Sequence, residues 1–268
     1  MALAEVSFAP VLCYHRIGGP LELGVTRVGR SVFARQMTAL AKAGWRTLTL
    51  DESARRPHAA HRTFLLTFDD GYASLADHAY PILADLGFSA TTFLITDYVG
   101  KTNDWDVRYT WNRLAHLDWK EIEHWQARGF AFGSHGATHR RLTWLDSAQV
   151  LADLRRSRDV LVRRLGHEAG RAVAYPFGAV DSRITAQAEA AGYELGFGGV
   201  KASGERLNLP RVPVYCWDGW DVPFGLRADA LGTVGRIVAH AANRCAVGTS
   251  LMLARQRTAP QPESVADA

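Results

Sequence analysis

Residues 63–71 read TFLLTFDDG (Thr63–Gly71), an apolar run that ends on two adjacent carboxylates and a glycine. The β-branched and aromatic residues of Thr63–Phe68 predict a strand, and Asp-Gly is a common way to stop one. Successive side chains diverge along an extended chain, so Asp69 and Asp70 need not share one task. Turn formation alone would also account for such a triplet.

The same pattern repeats on either side of this stretch. Candidate strands are Val11–His15, Arg46–Leu50, Ala90–Ile95, Phe130–Ser134, Ala172–Tyr175, Glu194–Phe197 and Val212–Cys216. Between them the periodicity predicts helices over Val32–Ala43, Ala73–Leu86, Lys120–Ala127, Ala148–Leu165 and Arg183–Ala191, with a last one at Ala228–Asn243. Ser31 and Ser147 are the expected caps of two of them, and Gly44, Gly87, Gly129, Gly166 and Gly192 the expected stops. In Ala148–Leu165 an apolar stripe of Val150, Leu154, Leu161 and Leu165 opposes arginines. Alternation of strand and helix predicts a parallel sheet with crossover helices. Seven or eight such units fit an α/β fold, an irregular (β/α)7-type barrel in a single domain, with a doubly wound open sheet as runner-up. The domain is expected to span residues 1–255, and the polar, Pro-containing end QRTAPQPESVADA, residues 256–268, to be a disordered tail.

Composition excludes several classes. The chain has 268 residues, 47% hydrophobic and 22% charged, an ordinary balance for a globular core. Its 31 Lys and Arg exceed its 27 Asp and Glu by only four, scattered along the chain, so no nucleic-acid surface is expected. Three cysteines, Cys13, Cys216 and Cys245, form no CxxC pair and are odd in number, which argues against a disulfide scaffold or a cysteine-rich zinc site. No apolar run reaches the roughly 18 residues of a membrane span. The start, MALAEVSFAPVLCYHRI, lacks the basic and long apolar regions of a secretory signal, so a cytoplasmic location is the expectation, though a trimmed secreted chain would read the same.

In either α/β architecture the chemistry gathers just beyond strand C-termini. Three further segments lie there. GSHGATH (Gly133–His139) places His135 and His139 four apart, on one face if the segment turns helically, although a solvated or capping pair would look similar. With one carboxylate they make a three-ligand set with open positions, the pattern of a catalytic rather than a structural metal site. AYPFG (Ala174–Gly178) is a strand ending in a stiff Pro turn, able to aim a backbone N–H at an oxyanion or simply to end a strand. His15 ends the strand VLCYH on the same rim.

With these motifs in this order the chain resembles the polysaccharide deacetylase family, also called the NodB-homology or carbohydrate esterase family 4 domain. LTFDDG resembles its first motif; SHGATH its second, with Gly136 where Ser or Thr is usual; AYPFG a variant of its third. The similarity runs from about residue 8 to about residue 220, including YHRI and NLPRVPV. The resemblance implies a metal-dependent N-deacetylase on a barrel of about seven strands. It implies Asp70, His135 and His139 as metal ligands, Asp69 as general base, and the Phe177 N–H as oxyanion donor. The family's third-motif arginine would fall at Ala174 and is absent, with Arg171 nearby but out of register; Arg211 is the candidate replacement for orienting Asp69. The usual C-terminal Leu-x-His motif is also absent, since SLMLAR has Ala254 or Arg255 in that place. Some members, including those resembling poly-N-acetylglucosamine deacetylases, are circularly permuted, and YHRI resembles their N-terminal strand. His15 is therefore the expected general acid.

The expected cofactor is one divalent ion, zinc first, with cobalt, nickel or iron as alternatives. The expected partner is an N-acetylated carbohydrate. Among the eight tryptophans, Trp105 in the loop Asp97–Tyr109 and Trp217 in WDGW are candidates for stacking on sugars, with Tyr175 as a third substrate-binding candidate. Two other readings stand beside the deacetylase: a different C–N hydrolase, acting on a formamide or a cyclic amide, and a non-catalytic carbohydrate-binding relative.

Overall fold

Strand β1 (Val11–Tyr14) is paired on one side with a strand from early in the chain and on the other with the last described one. The computed structural model describes residues 9–20, 25–55, 62–103, 113–200, 202–216 and 218. After β1 come β2 (Arg16–Ile17), β3 (Arg27–Val28), α1 (Arg30–Lys42), β4 (Arg46–Thr47), α2 (Leu50–Arg55) and β5 (Thr63–Phe68). Then follow α3 (Ser74–His78), α4 (Tyr80–Asp85), β6 (Thr91–Leu94), α5 (Trp119–Gln126), β7 (Ala131–Ser134) and α6 (Ser147–Leu165). The last described elements are β8 (Ala172–Ala174), α7 (Ser182–Ala190), β9 (Leu195–Phe197) and β10 (Val212–Pro213).

Seven strands run in the order β10-β1-β5-β6-β7-β8-β9, every neighbouring pair parallel, with β4 added to the N-terminal end of β5. One short segment joins the two edges. Leu209 N donates to Gly196 O at 2.7 Å and Gly198 N to Leu209 O at 2.9 Å, while Val212 and Pro213 pair with Leu12 and Cys13. The curled parallel sheet with its helices is the irregular (β/α)7-type barrel expected from the alternation of elements.

Period-two alternation divides each strand between two cores. Val11, Leu65, Phe93, Ala172, Ala174, Leu195, Phe197 and Leu209 fill the barrel interior. Leu12, Tyr14, Leu66, Phe68 and Phe132 point outward and pack on Phe33, Met37, Leu75, Tyr80, Leu83 and Ile122 of the helices. Val173 does the same against Val150 and Leu154 of α6 and Ile184 and Ala188 of α7. The interior is narrow at Gly133, where a Cβ would sit 2.8 Å from the Phe93 ring and 3.1 Å from Ala172 O.

Several boundaries differ from the sequence reading, for local reasons. The predicted helix over 73–86 is broken into α3 and α4 around Ala79, because Pro81 lies in the first turn of α4 and has no N–H to continue the ladder. The strand expected over 46–50 stops at Thr47. Thr49 and Glu52 cap α2 reciprocally, Glu52 N donating to Thr49 Oγ1 at 3.1 Å and Thr49 N to Glu52 Oε2 at 2.9 Å. Helix α1 begins at Arg30 with Gly29 as N-cap, and Asp146 rather than Ser147 caps α6 in a reciprocal box with Gln149. The strand expected over 212–216 is limited to Val212–Pro213. Arg171, at the N-terminal end of β8, pairs with Asp51, Glu168 and Glu194, so it staples the end of the barrel opposite the expected chemistry. No helix among the described residues is long and apolar enough to cross a membrane. The expected helix 228–243, the segment SLMLAR and the tail 256–268 lie outside the described residues.

Gly133→Ala should therefore overpack the interior and lower stability by roughly 1–3 kcal/mol. Thermal or urea unfolding measures this; an unchanged midpoint would show that Phe93 yields freely.

Candidate metal centre

The end of β5 sends its two carboxylates in different directions. Asp69 continues the inward-facing series of Leu65 and Thr67 and meets Arg211 from the closing segment. Arg211 Nη1 donates to Asp69 Oδ1 at 2.7 Å and Nη2 to Oδ2 at 2.8 Å, a bidentate pair. Arg211 Nε donates to Gly198 O at 3.2 Å, which fixes the fork. Both side chains are buried, the residues being 2% and 5% exposed. Burial, the largest single influence, opposes ionisation of Asp69, but the charge and hydrogen bonds of Arg211, with His135 and His15, together outweigh it and hold the carboxyl well below the usual range. Cys13 Sγ lies 3.5 Å from Asp69 Oδ2, and burial foremost pushes that thiol far up.

Asp70 turns away because its backbone is left-handed, φ 68°. His116 Nδ1 donates to its carbonyl at 2.8 Å, with the Tyr72 ring stacked on His116 at 5.1 Å. Asp70 Oδ1 then stands 3.5 Å from His135 Nε2 and 3.4 Å from His139 Nε2. Donor atoms of the three residues all lie within 4.8 Å of one another. His135 Nδ1 is 2.7 Å from Ala174 O, which can only accept, so Nδ1 carries the proton and Nε2 turns its lone pair to the site. Burial, the largest influence on both imidazoles, pushes their pKa values down, His139 further than His135. Both rings are thus neutral at neutral pH, with a lone pair to offer.

The segment after β7 converges without forming the helical turn expected from the i,i+4 spacing. Gly136 at φ 74° and His139 at φ 56° fold it as a tight loop. Asp153 of α6 pins that loop, accepting from Ala137 N at 2.8 Å and from Thr138 Oγ1 at 2.6 Å. A Cβ at residue 136 would lie 2.9 Å from Asp153 Oδ1, so Gly136 fits where the related pattern carries Ser or Thr. Ser134 Oγ bonds Ser157 Oγ at 2.7 Å and accepts from Gly136 N at 3.1 Å. Nothing in the sequence pattern singled out Asp153 or Ser157; both read as part of a helix face.

The remaining candidates are distributed unequally. Phe177, at φ 62°, sits in the turn after β8 with its ring centroid 4.7 Å from that of His139. Its N–H precedes the first hydrogen bond of that turn, Gly178 N to Tyr175 O at 2.9 Å. His15 follows β1; donor atoms of Cys13, His15 and Asp69 lie within 4.8 Å of one another, and burial foremost pushes His15 down to about 4. Tyr175 does not face the site. Its side chain belongs to the outer core between α6 and α7, where its hydroxyl donates to Leu207 O at 2.8 Å, because it stands one residue out of phase with the inward-facing Ala174. Trp105 and Trp217 lie outside the described residues. Trp144 is 48% exposed, with the Arg141 guanidinium 5.5 Å from its ring centroid.

The donor chemistry of Asp70, His135 and His139 fits a divalent metal. Ligand bonds of about 2.1 Å put neighbouring donors of a tetrahedral ion about 3.4 Å apart, close to the separations of 3.4 and 3.5 Å found here. Two neutral imidazoles and one carboxylate suit zinc and other borderline ions better than calcium or magnesium.

Fold and site together define a class: parallel α/β barrels with an Asp-His-His donor set at the C-terminal rim and an ion-paired carboxylate beside it. Residues 57–196 match the family model described as polysaccharide deacetylase. The chain belongs to the polysaccharide deacetylase family, hydrolases acting on carbon–nitrogen bonds, as its motifs led one to expect. It is 27% identical over 257 residues to the poly-beta-1,6-N-acetyl-D-glucosamine N-deacetylase of Staphylococcus epidermidis (strain ATCC 35984), covering 81% of this chain and 86% of that one. It is 28% identical over 193 residues to the YxkH protein of Bacillus subtilis (strain 168), covering 70% of this chain and only 63% of that protein's length. Among solved structures, IcaB from Ammonifex degensii superposes with a TM-score of 0.66 at 25% identity, over 80% of this chain and 94% of that one.

Asp153→Asn should weaken zinc binding roughly tenfold or more by freeing the histidine loop, as loss of outer contacts does at metal sites. Calorimetric titration of the folded variant tests this; wild-type affinity would mean the loop holds itself.

Proposed function

We propose that the protein is a metal-dependent deacetylase that hydrolyses the N-acetyl group of an N-acetylhexosamine-containing poly- or oligosaccharide or its biosynthetic precursor. One observation carries the reading above all: Asp69 is held by both nitrogens of the Arg211 fork directly beside the Asp70-His135-His139 donor set, its Oδ2 3.8 Å from His135 Nε2. Asp70, His135 and His139 would hold the divalent cation, zinc in the first instance, which when bound would supply Lewis acidity and lower the pKa of water.

The chain's own groups do the rest. Asp69 accepts the proton of the attacking water at its carboxylate, with Arg211 fixing the orientation of both oxygens. The Phe177 N–H, on the turn beside His139, donates to the oxyanion that forms from the acetyl carbonyl, a contact worth about 3–4 kcal/mol in comparable sites. An amine leaves poorly unless protonated. His15 delivers that proton, and its position within 4.8 Å of Asp69 supports transfer from one carrier to the other. Carbohydrate recognition falls to aromatic rings; Trp105 and Trp217 are the candidates from the sequence, and Trp144, exposed shortly after the histidine loop, is a third.

Acetate release from poly-β-1,6-N-acetylglucosamine and from chitooligosaccharides, with metal analysis of the same sample, tests the proposal. Metal with acetate supports it; metal without acetate points to another amide; no metal points to a binding relative. Asp69→Asn and His15→Ala should each lower kcat by roughly 10²–10⁴ with zinc still bound. Near-normal turnover in either would remove that residue from the mechanism.

The pH profile gives a separate check. Arg211 lowers the Asp69 pKa, so loosening the pair raises it, and the acid limb of kcat/KM must move to higher pH. Arg211→Lys, which keeps the charge but loses the fork, is expected to show this shift, with activity lost earlier as pH falls. An unmoved acid limb would mean that Asp69 is not the titrating base.

A further inference from the structure

Cys13 has no part in the chemistry above, yet it lies against it. Cys13 and His15 stand two apart at the end of β1, so their side chains share one face, the interior one. Cys13 pairs in register with Thr67, which places Asp69 two residues further along the neighbouring strand, beside His15. A thiol sulfur, an imidazole nitrogen and a carboxylate oxygen thus come within 4.8 Å of one another. The His15 Nδ1 has no hydrogen-bond partner among the described residues.

The spacing is that of ligands around one ion. Bonds of about 2.3 Å to sulfur and 2.1 Å to oxygen put the two donors about 3.6 Å apart in a tetrahedral site. Cys13 Sγ and Asp69 Oδ2 are 3.5 Å apart. A mixed S, N, O set selects borderline and soft divalent cations such as zinc and cadmium over magnesium or calcium.

We propose that Cys13, His15 and Asp69 form a second, weaker site for a thiophilic divalent cation, whose occupation inactivates the enzyme. Binding forms a bond from the Cys13 sulfur to the cation, and the thiol proton leaves to solvent. Arg211 and any cation on the Asp70 side repel the incoming charge, so the second site fills only when the cation is in excess. Asp69 retains lone pairs beyond the two directions used by Arg211, so the ion pair need not break. The inhibitory consequence rests on the proton-carrier roles given above to Asp69 and His15; the binding itself does not.

Cadmium titration of the full chain carrying Cys216→Ser and Cys245→Ser, with Cys13 as sole thiol, tests the site directly. A thiolate-to-cadmium charge-transfer band should grow in after the first equivalent and be lost on adding Cys13→Ala. It should also need roughly tenfold more cadmium in His15→Ala, where one ligand is missing. In parallel, deacetylation assayed against zinc should rise to one equivalent and fall beyond it, and Cys13→Ala should push the falling limb to roughly tenfold higher zinc or more. Absence of the band in the Cys13-only protein, or a band of undiminished affinity in His15→Ala, overturns the site. A falling limb that Cys13→Ala leaves in place overturns the inhibitory role. A protein that shows the band but releases no acetate at any zinc level refutes the deacetylase reading and leaves the second site standing.

Discussion

The bidentate pair between Arg211 and Asp69 links residues 142 positions apart, and both the closure of the barrel and the proposed chemistry depend on it. Arg211 lies in the segment that bridges β9 to β1, so the pair ties the closing segment to the central strand β5 from inside. A buried ion pair is a poor source of net stability, because desolvation consumes most of the Coulombic gain. Its value here is specificity. Removing one partner would strand a charge in the interior, at a cost of about 3–5 kcal/mol, so closure in the correct register and ionisation of Asp69 are secured together.

The second consequence concerns Asp70. With Asp69 committed to Arg211, a left-handed backbone turns the neighbouring carboxylate toward two neutral imidazoles. Asp70, His139 and Phe177 account for three of the four described non-glycine residues at positive φ. Such conformations cost of order 1–3 kcal/mol each and persist where surrounding contacts over-determine them. The contacts are identifiable: His116 on the Asp70 carbonyl, Asp153 on the histidine loop, and the Pro176 turn beneath Phe177. The strain lies where three loops meet at the rim, while the strands that carry them are regular and buried but for Ala131 at the start of β7.

Much of this was legible in the sequence, and the parts that were not share a cause. The strands were visible because each is a short apolar run punctuated by turn residues. The rim motifs were visible because they follow those runs directly. Arg211 could be nominated because it stands in NLPRVPV, a stretch the resemblance covers, yet only three-dimensional closure brings its fork onto Asp69. Asp153 and Ser157 were invisible, since a polar residue facing a loop and one facing solvent have the same periodicity on α6. Tyr175 belongs to a rim motif, but one residue of strand phase from Ala174 turns its side chain to the outer core, which the motif alone does not show. The cap of α6 slipped by one residue, Asp146 and Ser147 being adjacent and both competent, and that of α1 by two, from Ser31 to Gly29.

The central claim is a division of labour between adjacent carboxylates: Asp70 for a cation, Asp69 for a proton. The most direct measurement is a crystal structure of the full chain with one equivalent of zinc, the ion located by anomalous scattering. The account predicts a single peak within bonding distance of Asp70 Oδ1, His135 Nε2 and His139 Nε2, with Asp69 still paired to Arg211 and outside the ion's ligand sphere. A peak ligated by Asp69, or none among these three residues, would contradict it.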